Sequence, residues 1–258
     1  MSHCVISVII PVYNEEHYIA RTLQCFKMQH TTIPFEVIIC DNNCSDATIA
    51  IARTYTDRIV GEKKQGIACA RNTGARYARG DYLIFADADT RYPPDFIQKA
   101  YEAFAQHRYV AFCGGRYCYD PDDPHLQPSL RLKTANLCYA AWCSSPFISL
   151  LEKTNTLIVP GFCLCTPRSV FEHVGGFDED TKVHDDVHYS WKIRPLGSKK
   201  YVADLHVRSS IRRAEGGLIK LFRYHFNIHN LLCACKGLLL DITPVHHKKH
   251  TAWHRRHG

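Results

Sequence analysis

At 258 residues the chain is long enough for one large domain, or for one domain with an appendage. Hydrophobic residues make up 46% and charged residues 22%, which excludes a disordered or fibrous chain. A net charge of +7, from 32 Lys and Arg against 25 Asp and Glu, favours anionic partners such as nucleotides, phosphates or lipid head groups without choosing among them.

The 13 Cys are odd in number and contain no Cys-x-x-Cys. Cys163/Cys165 and Cys233/Cys235 do not have the usual zinc spacing. They read as reduced, buried thiols, small apolar residues of a protein in a reducing compartment, the cytoplasm. Met1-Ser2-His3 leads into a strand pattern with neither a basic start nor a small-residue cleavage site. No run reaches the ~18 apolar residues of a membrane span, and the longest, 137–151, is broken by Ser144, Ser145 and Pro146.

The first hundred residues alternate strand and helix. Residues 5–10 read as a strand, and 15–28 as a helix with Ile19, Leu23 and Phe26 on one face. Residues 35–40 are the next strand, and Ser45 caps a helix through Tyr55. A short strand at 58–61 precedes an Ala-rich helix, 66–79, stopped by Gly80. Residues 82–86 are an apolar strand, and Pro93-Pro94 opens a helix through His107. Such a βαβαβαβα run predicts an α/β fold: a Rossmann-like, mostly parallel sheet flanked by helices.

The second half is less regular. It reads as a strand at 109–119, a turn-rich stretch at 120–128 and a helix at 130–151 with a break near Pro146. A strand at 157–166 is interrupted by Pro160-Gly161; a Gly175-Gly176-Phe177-Asp178 turn, a helix at 185–194 and a strand at 200–205 follow. This division gives a domain over 1–215, with a ligand-binding half at 1–108 and a smaller second half at 109–215. An amphipathic helix, 216–245, and a basic tail at 246–258 with little to bury complete the chain.

The chemistry gathers at strand ends. Asp87-Ala88-Asp89 follows the strand 82–86, Asp41 follows 35–40, and Pro11-Val12-Tyr13-Asn14-Glu15 follows 5–10. Ligands of open α/β sheets bind beyond the carboxyl ends of the strands, so three acidic ends suggest one site for a cation and a phosphorylated ligand. The first strand-to-helix loop lacks Gly-x-Gly-x-x-Gly, and no Gly-x-x-x-x-Gly-Lys-Ser/Thr is present, which argues against a dinucleotide fold and a P-loop.

Six ordered motifs extend this pattern: residues 8–16 (Val-Ile-Ile-Pro-Val-Tyr-Asn-Glu-Glu), 41–46 (Asp-Asn-Asn-Cys-Ser-Asp), Ala70-Arg71-Asn72-Thr73-Gly74, Asp87-Ala88-Asp89, residues 175–179 (Gly-Gly-Phe-Asp-Glu) and His184-Asp185-Asp186. Together they resemble the inverting family 2 glycosyltransferases of GT-A fold, over roughly residues 5–194. The resemblance implies metal-dependent transfer of one sugar from a nucleotide-sugar, UDP-linked, to an acceptor hydroxyl. It places Asp41 on the nucleotide base, Pro11, Val12 and Glu15 in the same pocket, Arg71 on the nucleotide or a phosphate, and Asp87 and Ala88 by the ribose or sugar. Asp89 would ligate Mn²⁺ or Mg²⁺, with His206 as a further ligand. Asp186 would be the general base; Asp185 stands where the family has Glu.

Plainer readings stand beside these. Asp41 and Asp46 could serve an Asx turn and a helix cap, and Asp185-Asp186 could simply favour a helix N-terminus. Arg71 could be a solvated helix residue, and Arg212-Arg213 a solvated basic loop or one closing over a diphosphate. His184 and His188 rank as structural, and His225 and His229, four apart, as surface residues. The processive synthases' Gln-x-x-Arg-Trp motif is absent, which favours single-sugar transfer, with a role in cell-envelope glycan or glycolipid synthesis.

Rival functions are a non-catalytic nucleotide-sugar-binding module, a nucleotidyltransferase, which would show a Gly-rich phosphate loop, and a nucleic-acid binder suggested only by the tail. The expected partners are a nucleotide-sugar donor and a glycan or lipid-linked acceptor, not nucleic acid. Apolar surfaces at 137–151 and 216–236 suggest peripheral contact with the inner face of the membrane.

Overall fold

A computed structural model describes residues 3–106, 109–120, 146–181 and 185–210. The expected turn-rich stretch from 121, the helix before 146, His184, Arg212-Arg213, His225, His229, the Cys233/Cys235 pair, the amphipathic stretch and the basic tail lie outside the described residues.

The elements in chain order are β1 (Ile6–Val12), α1 (Ile19–Lys27), β2 (Phe35–Asp41), α2 (Thr48–Ala52), β3 (Ile59–Gly61), α3 (Ile67–Tyr77), β4 (Tyr82–Ala86), β5 (Thr90–Arg91) and α4 (Phe96–Gln106). Then come β6 (Ala111–Tyr119), α5 (Pro146–Lys153), β7 (Cys163–Pro167), α6 (Arg168–His173), α7 (Asp185–Lys192), a 3₁₀ turn (Arg194–Leu196) and β8 (Lys199–Ser209). One eight-stranded sheet has the order β3-β2-β1-β4-β7-β6-β8-β5.

Strands β3, β2, β1 and β4 run parallel, with Val12 beside Asp41 and Ile9 beside Phe85. The chain leaves β1 for β2 on one side and later returns to β4 on the other. The carboxyl ends of β1 and β4 therefore flank the switch point of the sheet, where a crevice opens. β7 pairs antiparallel with β4 and β6, and β8 runs parallel to β6.

β1 is apolar on both faces because both are covered. Ile6, Val8, Ile10 and Val12 join a core with Ile19, Leu23 and Phe26 of α1 and Phe96 and Ile97 of α4. Ile9 points the other way, into a core with Phe85, Phe171, Phe177 and Tyr189. α1 has no side-chain N-cap bond, so burial holds it. Each of its three large apolar residues contributes about 1.5–3 kcal/mol, an upper figure that far exceeds differences in helix propensity of ~0.7 kcal/mol or less per residue.

Gly74 lets α3 approach the sheet, since a Cβ there would meet Cys40 Sγ and Ile9 Cγ2. Seven described cysteines are free thiols. Cys40, Cys69, Cys163 and Cys165 are buried, whereas Cys4, Cys25 and Cys44 are partly exposed.

Several boundaries differ from expectation. α1 begins at Ile19, because Glu15 to Tyr18 forms a turn whose Glu15 carbonyl accepts the Tyr18 and Ile19 amides. Ser45 does not cap α2: its amide donates to Asn14 Oδ1, and Asp46 Oδ1 accepts the Thr48 amide instead. The strand expected over 157–166 is confined to Cys163–Pro167, beyond Pro160-Gly161. The helix expected over 185–194 ends at Lys192, where Pro195 diverts the chain into the 3₁₀ turn. Among the described residues no helix is long and apolar enough to cross a membrane.

Candidate active site

The loops after β1 and β2 are stitched into one floor. Asn14 takes a left-handed φ of 54°, which Asn tolerates, and its side chain accepts the Ser45 amide at 2.8 Å. The Glu15 amide donates to Thr48 Oγ1 at 2.7 Å, and the Glu16 amide to Asp46 Oδ2 at 3.2 Å. Asn42 donates to the Glu62 and Lys64 carbonyls and accepts the Gly66 amide, which fixes the loop leading to α3. Asp46 thus accepts two loop amides, from Glu16 and Thr48, without capping α2, whose cap position is Ala47. Asp41 accepts the Cys44 amide through Oδ1 at 2.8 Å and remains partly exposed at the end of β2. Pro11, Val12 and Glu15 stand beside it at the end of β1, Val12 buried and the other two partly exposed.

Asp87, Ala88 and Asp89 leave β4 as an anchored turn. The Ala88 carbonyl accepts from Thr22 Oγ1 of α1 at 2.6 Å. The buried Tyr92 hydroxyl accepts the Asp87 amide at 3.1 Å and donates to the Phe162 carbonyl at 2.7 Å. The Asp89 carbonyl accepts the Ser210 amide at 3.1 Å, joining the motif to the end of β8. Asp89 is 7% exposed.

Asp185 and Asp186 open α7, where the helix dipole favours acids. Asp186 Oδ2 accepts the Gly161 amide at 3.1 Å, and Oδ1 accepts the Val187 amide at 2.9 Å. Burial, and next the neighbouring Asp185 carboxylate, push Asp186 above its ordinary value; Arg71 and the two amides pull the other way. A carboxylate with raised proton affinity and a partly exposed edge suits general base chemistry.

Arg71 joins the two halves. Its Nη2 meets Asp87 Oδ1 at 3.0 Å, and its Nη1 meets Asp185 Oδ2 at 2.6 Å. Burial works against its charge, but Asp185, Asp87 and Asp186 outweigh it and push the guanidinium up. The sequence reading puts Arg71 on the nucleotide, a phosphate or in solvent; here both terminal nitrogens engage carboxylates and the side chain is 3% exposed. Gly161 is required beside it, because a Cβ there would run into the guanidinium.

His206 is on the exposed side of β8, between buried Leu205 and Val207, and its field acts on Asp95. No group of three His, Cys, Asp or Glu that could hold a metal occurs among the described residues. That fits Mg²⁺ or Mn²⁺ shared with a ligand, since such ions often take only one or two protein carboxylates and use substrate phosphates for the rest.

Composition and spacing hide Tyr92, Gly161 and the partnership of Asp185 with Arg71. The Asn72 of the third motif has an equally silent task, since it accepts the Phe177 amide and donates to the Phe177 carbonyl and to Glu179 Oε1.

The model of the family described as Glycosyl transferase family 2 matches residues 7–175, more than half of the chain. The chain belongs to glycosyltransferase family 2. This family 2 chain is 36% identical over 200 residues to a validoxylamine A glucosyltransferase of Streptomyces hygroscopicus subsp. limoneus, an alignment covering 68% of the chain and 44% of that protein. It therefore spans less than half the length of that relative.

Two solved structures share its GT-A fold. The mannosyltransferase PcManGT from Pyrobaculum calidifontis, in complex with GDP-Man and Mn²⁺, has a TM-score of 0.62 at 20% identity, over 93% of this chain and 76% of that one. S. aureus TarS 1–349, in complex with UDP-GlcNAc, has a TM-score of 0.61 at 19% identity, over 82% and 60% respectively.

Proposed function

We propose that this family 2 chain transfers a single sugar from a UDP-sugar to an acceptor hydroxyl with inversion at the anomeric carbon. The observation that carries the reading is the meeting of donor-side Asp87 and acceptor-side Asp185-Asp186 around one buried arginine, at the switch point of a parallel sheet. The nucleotide-sugars named with PcManGT and TarS support the donor class.

In this reading Asp41 accepts from the base's N–H, with Pro11, Val12 and Glu15 walling the pocket. Asp87 and Ala88 orient the ribose or sugar. The acceptor oxygen attacks the anomeric carbon as its proton passes to Asp186, and the bond to the diphosphate breaks on the opposite face. A divalent cation held by Asp89 and the diphosphate would neutralise charge on the leaving group. The acceptor, a glycan or lipid-linked hydroxyl, would meet the second half of the chain, with the enzyme peripheral at the cytoplasmic leaflet in the lipid-linked case. His206, on β8, would be a further ligand.

The test is a transfer screen over UDP-, GDP- and dTDP-sugars with and without Mn²⁺, using Asp89→Asn as the control. The wild type is expected to need metal and prefer a UDP-sugar. The variant is expected to lose about 100-fold or more in rate, because several kcal/mol of leaving-group stabilisation depend on the cation. A variant with the wild-type rate and Mn²⁺ response means that Asp89 does not hold it.

A further inference from the structure

Arg71 sits on α3, away from the strand-end acids, yet its guanidinium touches both halves of the site. Its two terminal nitrogens grip Asp87 and Asp185. The Phe177 ring lies 5.6 Å from Cζ, and Gly161 abuts the guanidinium. Gly161 in turn donates its amide to Asp186, and the next residue, Phe162, is tied through its carbonyl to Tyr92 and so to the Asp87 amide. Two separate paths thus run from the Asp87 turn to the start of α7, one ionic and one through a buried hydroxyl.

We propose that Arg71 is a positioning residue that touches no substrate: with Asp185 and Gly161 it holds the Asp186 carboxylate in line with a sugar oriented by Asp87. The proposal rests on the reading of Asp186 as general base. A guanidinium is a rigid planar fork, so fixing both ends sets a distance and an angle that a flexible ammonium does not. A base displaced by ~1 Å from line costs on the order of 100-fold in rate. The charged groups facing Asp186 among the described residues are Asp185 on its own helix and Arg71 on α3, of opposite sign, with Asp87 behind Arg71.

Three variants test this through kcat, donor KM and the acid limb of kcat/KM against pH. Arg71→Lys keeps the charge and loses the fork; kcat is expected to fall about 100-fold with donor KM within about threefold. Asp185→Asn is expected to lower kcat and move the acid limb to lower pH, because a negative neighbour of Asp186 is gone. Arg71→Met is expected to move the limb to higher pH, because the positive neighbour is gone. Opposite displacements are not expected of residues that merely stabilise the fold. If Arg71→Met does not yield folded protein, the other two variants decide.

An Arg71→Lys enzyme with normal kcat and a donor KM raised about tenfold or more would overturn the proposal and make Arg71 a donor contact. Asp186→Asn, measured alongside, separates the failures. Full transfer by that variant removes the base assignment itself. An inactive Asp186→Asn beside a normal Arg71→Lys and Asp185→Asn removes only the positioning role.

Discussion

Asp186→Asn should reduce glycosyl transfer by about 10²–10⁴-fold, the usual contribution of a positioned base, while donor affinity changes by no more than about threefold. The amide oxygen of Asn can still accept one of the two amides, from Gly161 and Val187, that the two carboxylate oxygens accept now, and Asn is close to Asp in shape. The ability to take a proton is lost, together with one amide hydrogen bond. The same variant should change how stability depends on pH. Burial and the Asp185 carboxylate disfavour charge at Asp186, so removing that charge favours the folded chain, against the loss of one amide bond worth about 1 kcal/mol.

The pH dependence has a definite sign. The folded chain holds the Asp186 proton at pH values where the unfolded chain has released it, so this group's contribution to stability is present at low pH. It is lost as pH rises through the raised folded value. The Tm of the variant minus that of the wild type should therefore fall on acidification. Activity should fall over the same range, because the base works only when ionised. Thermal scans at a series of pH values, beside initial rates, check both. A Tm difference between variant and wild type that does not change with pH would contradict the burial argument.

Arg71→Met carries the largest expected cost in stability. The Arg71 side chain is 3% exposed and its two carboxylate partners 13% and 8%. Exposed ion pairs are worth about 1 kcal/mol or less, but removing one partner of a buried pair leaves unpaired charge and costs about 3–5 kcal/mol. Met fills much of the volume of the Arg stem, so the loss reports charge rather than a cavity. A fall of roughly 10 °C in Tm follows at about 2–4 °C per kcal/mol. Adding Asp185→Asn to Arg71→Met should recover part of it, since one of the two stranded carboxylates is removed, and the non-additivity measures the pair. A loss below about 1 kcal/mol would mean that the network behaves as a surface pair.

The first half of the fold could be read from the chain because its signals are local. β1, β2 and β4 are apolar runs ending in acids or in Pro11-Val12-Tyr13-Asn14-Glu15, and a parallel sheet carries all such ends to one edge. A candidate site for a cation and a phosphorylated ligand follows from that alone, and the order of the motifs pointed to the family that residues 7–175 match.

The cross-sheet contacts could not be read this way. Nothing near position 71 in sequence announces Asp185, 114 residues away, or says that a helix Arg will be buried. Gly161 looks like a simple strand interruption until the guanidinium lies against it. Tyr92 resembles any core aromatic, although its hydroxyl links Asp87 to Phe162. Ser45 misled for a related reason. It has the chemistry of a cap, but Asn14, 31 residues earlier, takes its amide, and Ala47 stands at the cap position of α2. In each case a long-range partner overrides the local preference.

The central claim is a single displacement with Asp186 taking the acceptor proton. ¹H NMR of the glycosylated product, formed from an α-linked UDP-sugar, tests it most directly through the anomeric coupling. One inverting step predicts a β-linked product, formed by the wild type and lost in Asp186→Asn. An α-linked product would contradict it.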